Sequence, residues 1–289
     1  MAGFHHVALV EADPHACATL RLNRPCWNVI ETDLNYFEPD KWPRADLVAA
    51  GLPCPPFSVA GKQLGEADER NLFPAALRVI ERVRPKAVLI ENVRGFLDPV
   101  FESYRAELKD ALARLGYLSD WRLLNASDYG VPQLRPRVAI VALRKPYWRR
   151  FEWPEPPGHP PPTVGETLYP LMSAAGWRGA KFWRKRANQA APTLVGGSKK
   201  HGGPDLGPTR AKKAWAALGV DGRGIADAPP ARDFAGMPRL TVEMAALLQG
   251  FPPEWKFSGR KTNAYRQVGN AFPPPVARAL ARSIAAALA

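Results

Sequence analysis

The sequence predicts an α/β fold: a doubly wound, mainly parallel sheet joined to a smaller basic lobe. Three observations predict it. Short apolar runs alternate with helical patterns through the first half of the chain. Those runs are apolar at nearly every position, as strands covered on both faces must be. The alternation then stops at a proline-rich stretch, followed by basic sequence of weak periodicity. The chain's 289 residues suffice for one such domain with a large core plus a second lobe. With 46% hydrophobic and 23% charged residues, a disordered chain is excluded. No apolar run reaches the roughly 18 residues of a membrane span. The start, "MAGFHHVALVEAD", has neither the basic opening nor the long apolar core of a signal peptide.

Taken in order, "HHVALVE" reads as a strand ending at Glu11, and "PHACATLRLN" as a helix. "NVIETD", ending at Asp33, and "ADLVAAGLP" read as strands. "NLFPAALRVIERV" is helical, and "KAVLIENV" is a short apolar strand carrying Glu91 and Asn92 at its end. In "FESYRAELKDALARLGY", Phe101, Tyr104, Leu108, Leu112 and Leu115 recur at helical spacing. "RVAIVAL" closes the series. From Pro154 to Pro162 six residues are proline, a stiff, extended run expected at a lobe boundary. Helical pattern returns at "TVEMAALLQGF" and again from Pro275 onward. The expected organisation is a catalytic domain over 1–150, a second lobe over 151–238, and a return to the first domain over 239–289.

The formal net charge is +13, and its placement is informative. Lys181 to Lys213 holds nine Lys or Arg against one acid, Asp205, and so carries +8 of that total. A solvated basic face is the plain reading. The concentration of charge, interleaved with Trp183, Trp215 and Gly-Gly pairs, favours a surface for a polyanion. Cys17, Cys26 and Cys54 cannot all pair internally, which points to free thiols in a reducing cytoplasm.

In open α/β sheets, ligands bind beyond the carboxyl ends of the strands. Glu11, Asp33 and the Glu91–Asn92 pair each end an expected strand. Cys54 ends a fourth, fixed between Pro53 and Pro55 in "GLPCPPFSVAGK". Singly, a strand-end acid often caps the next helix and a cysteine is often a small core residue. Together the four converge on one rim.

Six motifs in order make the chain resemble the DNA cytosine-5 methyltransferase family over nearly its whole length. They are "PCPPFS" (53–58), "DERNLF" (68–73), "ENVRG" (91–95), "QLRPR" (133–137), "RLTVEMAALLQGFP" and "RQVGNAFPPPVA" (266–277). The resemblance implies an S-adenosylmethionine-dependent methyltransferase fold in which the basic lobe recognises the target. It implies methyl transfer from S-adenosylmethionine to carbon 5 of a flipped cytosine in a specific duplex DNA sequence. Cys54 would be the nucleophile that forms a covalent adduct. Glu91 would assist at nitrogen 3, with burial raising its hold on a proton. Asn92 would orient the loop, and Arg135 or Arg137 would stand beside the flipped base and its phosphate. The two arginines, two apart in an extended segment, are expected to face the same way. Glu11, Asp33, Pro53, Asn270 and Ala271 would bind the donor. Ser58, Lys199, Lys200, Lys212 and Lys213 would contact DNA. The resemblance also implies no metal, a monomer, and a cytoplasmic, nucleoid-associated enzyme of a bacterial restriction or orphan methylation setting. A tRNA methyltransferase of the same fold is opposed by the long basic lobe and by the lack of a Cys-Phe-Thr signature after the acid motif.

One family element is not found. Members place a strand and a glycine-rich turn, of the F-x-G-x-G-G kind, ahead of the Glu11 strand. Here Met1-Ala2-Gly3-Phe4 looks like the end of the first helix. The expectation is a truncated reading frame and an incomplete donor pocket. The alternative to an active enzyme is thus a catalytically impaired DNA-binding fragment.

Overall fold

A computed structural model describes residues 2–42, 45–52, 71–196 and 204–289. In chain order its elements are β1 (Leu9–Glu11), α1 (Pro14–Asn23), β2 (Val29–Glu31), β3 (Leu47–Gly51), α2 (Phe73–Val83), β4 (Ala87–Val93), α3 (Glu102–Arg114), β5 (Tyr117–Asn125), β6 (Gln133–Leu134), β7 (Pro136–Arg144), α4 (Lys145–Trp148), α5 (Val164–Met172), α6 (Ala180–Arg186), β8 (Ala191–Pro192), α7 (Thr209–Ala217), α8 (Val242–Leu248), α9 (Lys261–Asn270) and α10 (Pro274–Leu288). They form two compact units. One comprises Met1–Leu124, Pro136–Glu155 and Arg278–Ala289; the other comprises Asn125–Arg135 and Pro156–Ala277.

The first unit is α/β. Four strands run in the order β3-β4-β7-β5, and β1 pairs with β2 in a separate two-stranded sheet. The β1/β2 and β3/β4 pairs are parallel; β4/β7 is antiparallel. Parallel neighbours need a long crossover, usually a helix. The chain makes one through α2 between β3 and β4, whereas no α-helix separates β5 from β7. Helix α2 has apolar residues at the spacing of an amphipathic helix. Its Phe73, Ala76 and Ile80 pack into a core with Val88 and Ile90 of β4 and Val138 and Ile140 of β7. Its Val79 and Val83 face Val10, Ile30 and Val48, so one helix covers parts of β1, β2 and β3. Helix α1 starts where Asp13 accepts from the His15 and Ala16 N–H groups, with Pro14 in its first turn.

The second unit is mainly helical, with β6 and β8 paired in parallel. Its core holds Val164, Leu168, Trp183, Trp215, Met244, Leu248, Tyr265 and Val268. Two sequence expectations change here. Residues 239–277 do not return to the first unit, because α8 and α9 bury Met244, Leu248, Tyr265 and Val268 in this core. Only 278–289 groups with the first unit. Trp183 and Trp215 are 3% and 0% exposed, so they are core residues rather than part of a nucleic-acid surface. The change of unit at Glu155–Pro156 lies inside the proline-rich run.

Candidate active site

Strand β4 is buried at every position except Val93, which is half-buried. Its last residues carry the polar groups. Glu91 is 7% and Asn92 0% exposed. A buried carboxylate requires partners, and strand register supplies one. Val93 of β4 lies opposite Arg137 of β7, so Glu91, two residues back on the same face, is Arg137's diagonal neighbour. Arg137 Nε stands 2.7 Å from Glu91 Oε1, with both side chains largely buried. The guanidinium also donates from Nη1 to its neighbour's carbonyl, Pro136 O, at 2.9 Å. The burial expected of Glu91 is present. The adjacent cation was not part of that expectation.

The β3/β4 register places Gly51 opposite Glu91. A Cβ at Gly51 would stand 3.8 Å from Glu91 Oε2, so the chain passes directly beside the carboxylate as it leaves β3. Asn92 Oδ1 accepts from the Val93 N–H at 2.8 Å, which fixes the strand's exit. Its buried Nδ2 has no hydrogen-bond partner among the described residues.

Arg135 departs from expectation. Its side chain is fully buried, and it donates to the carbonyls of Leu194, Gly269 and Ala271. It lies between β6 and β7 rather than within one strand, so two-residue alternation does not carry across. It belongs to the second unit, and Arg137 to the first. Arg135 is therefore a structural tie and is not free to contact a base or a phosphate. Two residues that sequence reasoning passed over share its work. Gln133 donates to Leu248 O and to Gln249 Oε1 and accepts from the Leu194 N–H; Gln249 donates to Ala271 O at 2.6 Å. Gln133 sits in the quoted "QLRPR" motif, so the signal was present but was spent on the arginines.

Glu11 and Asp33 lie at or just past the carboxyl ends of the adjacent parallel strands β1 and β2. Glu11 Oε1 accepts from the Asp13 N–H at 2.8 Å. Asp33 Oδ1 accepts from the Asn35 N–H at 2.8 Å and starts a short helical turn. The capping role weighed from sequence is thus real for Asp33. Each carboxylate spends one oxygen this way, and the other makes no hydrogen bond among the described residues. Two such oxygens suit the ribose hydroxyls and adenine amino group of S-adenosylmethionine, so the residues present fit that group.

Asn270 and Ala271 end α9 in the second unit. Asn270 packs so tightly on Gly196 that a Cβ there would overlap its amide. Ala271 O is taken by Arg135 and Gln249. Lys212 pairs with Asp205 at 2.6 Å, which leaves it a poor candidate for phosphate; Lys213 is exposed. Pro53, Cys54, Ser58, Lys199 and Lys200 lie outside the described residues. Of the other thiols, Cys26 is exposed, whereas Cys17 is buried and donates to Glu11 O at 3.3 Å. Burial, then Glu31 and Glu11, push the Cys17 thiol up, away from a reactive thiolate. Among the described residues no cluster of His, Cys, Asp or Glu could hold a metal, and no helix is long and apolar enough to cross a membrane.

The family model for C-5 cytosine-specific DNA methylases matches residues 1–286. The type II methyltransferase M.NgoMIV of Neisseria gonorrhoeae is 54% identical over 290 residues, covering 99% of this chain and 92% of that protein. M.NaeI of Lentzea aerocolonigenes is likewise 54% identical, over 99% of this chain and 71% of that protein. Among solved structures, a DNMT2 variant from Spodoptera frugiperda superposes with a TM-score of 0.63 at 18% identity, covering 98% of this chain and 92% of that one. Dnmt2 methyltransferase from S. pombe gives 0.58 at 18% identity, covering 98% and 90%. These two likenesses bear on the fold alone.

Proposed function

The chain belongs to the C-5 cytosine-specific DNA methylase family and is a DNA methyltransferase of restriction-modification type, and from that premise we propose that it works on a flipped cytosine in a specific duplex sequence through a covalent Cys54 adduct. Carbon 5 of cytosine is a poor nucleophile. Addition of the Cys54 thiolate to carbon 6 turns the ring into an enamine, which splits one hard step into easier ones. Charge then builds toward nitrogen 3, where a proton held by Glu91 relieves it. Carbon 5 takes the methyl group and loses its proton to a base; the carbon–sulfur bond breaks and nitrogen 3 returns its proton to Glu91, which restores the ring, the thiolate and the acid. Arg137 holds the Glu91 carboxylate in place through this cycle and supplies a counter-charge whenever it is ionised.

S-adenosylmethionine, when bound, supplies an electrophilic sulfonium methyl. Glu11 would hold its ribose hydroxyls and Asp33 its adenine amino group, with Pro53 as a further contact. Because the target atoms lie inside a stacked duplex, the cytosine must be extruded. Lys199, Lys200 and Lys213 would bind phosphate, and Ser58 would contact the DNA near the base.

One observation carries the reading. Gly51 lies opposite Glu91, and Cys54 is three residues beyond Gly51. The strand that precedes Cys54 in the sequence thus ends opposite a buried carboxylate. The test is to incubate the chain with plasmid DNA and S-adenosylmethionine and sequence after bisulfite treatment. Protected cytosines should fall in one short sequence context. DNA that is bound but nowhere protected would contradict the reading.

A second reading, DNA binding without turnover, is favoured by one observation. Among the described residues, β1–β2 and β3–β4–β7–β5 form separate sheets although α2 covers both, and β1 to β3 are mostly half-exposed despite apolar sequences. The donor carboxylates stand on the smaller piece.

A further inference from the structure

A charged cluster in the second unit takes no part in the chemistry above. Asp221 follows α7 and is 9% exposed, and both its oxygens are engaged. Oδ1 accepts from the Arg223 N–H at 3.1 Å and from Arg223 Nε at 2.9 Å. Oδ2 accepts from Arg223 Nη2 at 3.2 Å and from Arg239 Nε at 3.0 Å. The side-chain bond from Arg223, ahead of the others, holds the Asp221 carboxyl well below the usual carboxylate range. One carboxylate thus grips two guanidiniums whose side chains are 75% and 47% exposed. Arg223 Nη1 and both terminal nitrogens of Arg239 make no hydrogen bond among the described residues.

The backbone is shaped around this pair. A Cβ at Gly224 would stand 3.2 Å from Arg239 Nη1, so glycine gives that guanidinium its seat. The Asp221 N–H donates to Pro238 O at 2.9 Å, tying the turn to the strand of chain that carries Arg239. The turn also abuts the basic stretch: a Cβ at Gly222 would stand 3.3 Å from Lys212 Cγ, and the Leu206 N–H donates to Gly222 O at 3.0 Å. A buried acid needs one counter-charge; this one has two, and the cluster keeps a surplus positive charge. The second guanidinium is more than the burial of one acid requires. Held guanidiniums with outward donor edges are instead suited to planar pairs of acceptors.

We propose that Asp221 aims Arg223 and Arg239 as a paired guanidinium fork at DNA, where they determine how the target sequence is held. The acceptors are either phosphate oxygens or the O6 and N7 atoms of guanine, which offer the same two-acceptor edge. The inference rests on the chain being a DNA methyltransferase acting on a duplex. Two assays separate the sources. One follows binding to a random-sequence 30-base-pair duplex against salt. The other sequences, after bisulfite treatment, the molecules methylated from a randomised duplex pool. Failure of the wild-type chain in both assays would count against the function itself. With an active wild type, phosphate contact predicts that Arg223→Gln and Arg239→Gln each lower the slope of log affinity against log salt by about 0.9, with sequence preference kept. Guanine contact predicts an unchanged slope and a roughly 5- to 150-fold loss of preference at one base pair. Gly224→Ala, which displaces Arg239 without removing charge, should reproduce part of the Arg239→Gln effect. Gln variants that melt normally and change neither readout overturn the proposal. If a Gln variant melts early, the Lys variant at that position replaces it, and wild-type affinity and preference in the Lys variant overturn the fork.

Discussion

Two arginines separated by one residue do unlike work, and substitution should separate them. Arg135→Met leaves the carbonyls of Leu194 and Gly269 without the Arg135 donor and leaves Ala271 O with Gln249 alone. Buried groups so orphaned cost about 1–3 kcal/mol each, so the denaturant midpoint should fall sharply, before any question of catalysis arises. Glu91→Gln keeps shape and keeps an oxygen for Arg137 but loses the transferable proton. Turnover should drop on the order of 10²-fold or more, the usual scale for a general acid–base group, while DNA affinity changes little; the melting temperature should fall as well, because Arg137 loses its buried counter-charge. Unchanged turnover would remove Glu91 from the mechanism. Asp221 gives a pH test. Its folded-state pKa is depressed, so the stability it contributes is present above the ordinary carboxylate pKa and is lost as pH falls below it. The gap in denaturant midpoint between wild type and Asp221→Asn should be constant from pH 7 to 5 and shrink by pH 3.

At the scale of elements, α7 offers a contrast within one turn of helix. Lys212 is paired with Asp205 and Lys213 is exposed. Lys213→Ala should lower the salt slope of DNA binding by up to about 0.9, and Lys212→Ala by less; equal effects would show that the Asp205 pair opens on DNA. The elements also show what sequence could reveal. Helices α1 and α2 and strand β4 were legible because caps, amphipathic spacing and unbroken apolar runs agree locally. Helices α5, α6 and α7 were not. They span nine, seven and nine residues and lack the unbroken apolar spacing that marks the equally short α8, and α5 contains Pro170. Strand β5 alternates as an edge strand with charged positions and carries no apolar run. Trp183 and Trp215 misled because composition cannot say which face of a helix turns inward. Arg135 misled because alternation holds only while a strand continues, and between Arg135 and Pro136 the chain passes from one unit to the other.

For the whole molecule, the donor and the nucleophile provide separate tests. Glu11 and Asp33 each keep one carboxylate oxygen without a protein partner among the described residues. Hydrogen bonds to charged groups contribute about 1.5–3 kcal/mol, so Glu11→Ala and Asp33→Ala should each weaken S-adenosylmethionine binding by roughly tenfold or more in calorimetry. Wild-type affinity in both variants would place the donor elsewhere. The central claim is that Cys54 attacks carbon 6 of cytosine and stays attached until the methylated ring is released. The direct measurement uses duplex DNA in which 5-fluorocytosine replaces cytosine, because fluorine stands in place of the carbon 5 proton whose loss frees the enzyme. With S-adenosylmethionine present, the wild-type chain should give a denaturation-resistant protein–DNA adduct whose cross-linked peptide contains Cys54, and Cys54→Ser should give none. An adduct that survives Cys54→Ser, or wild-type chain that binds this DNA and never becomes attached to it, would contradict the account.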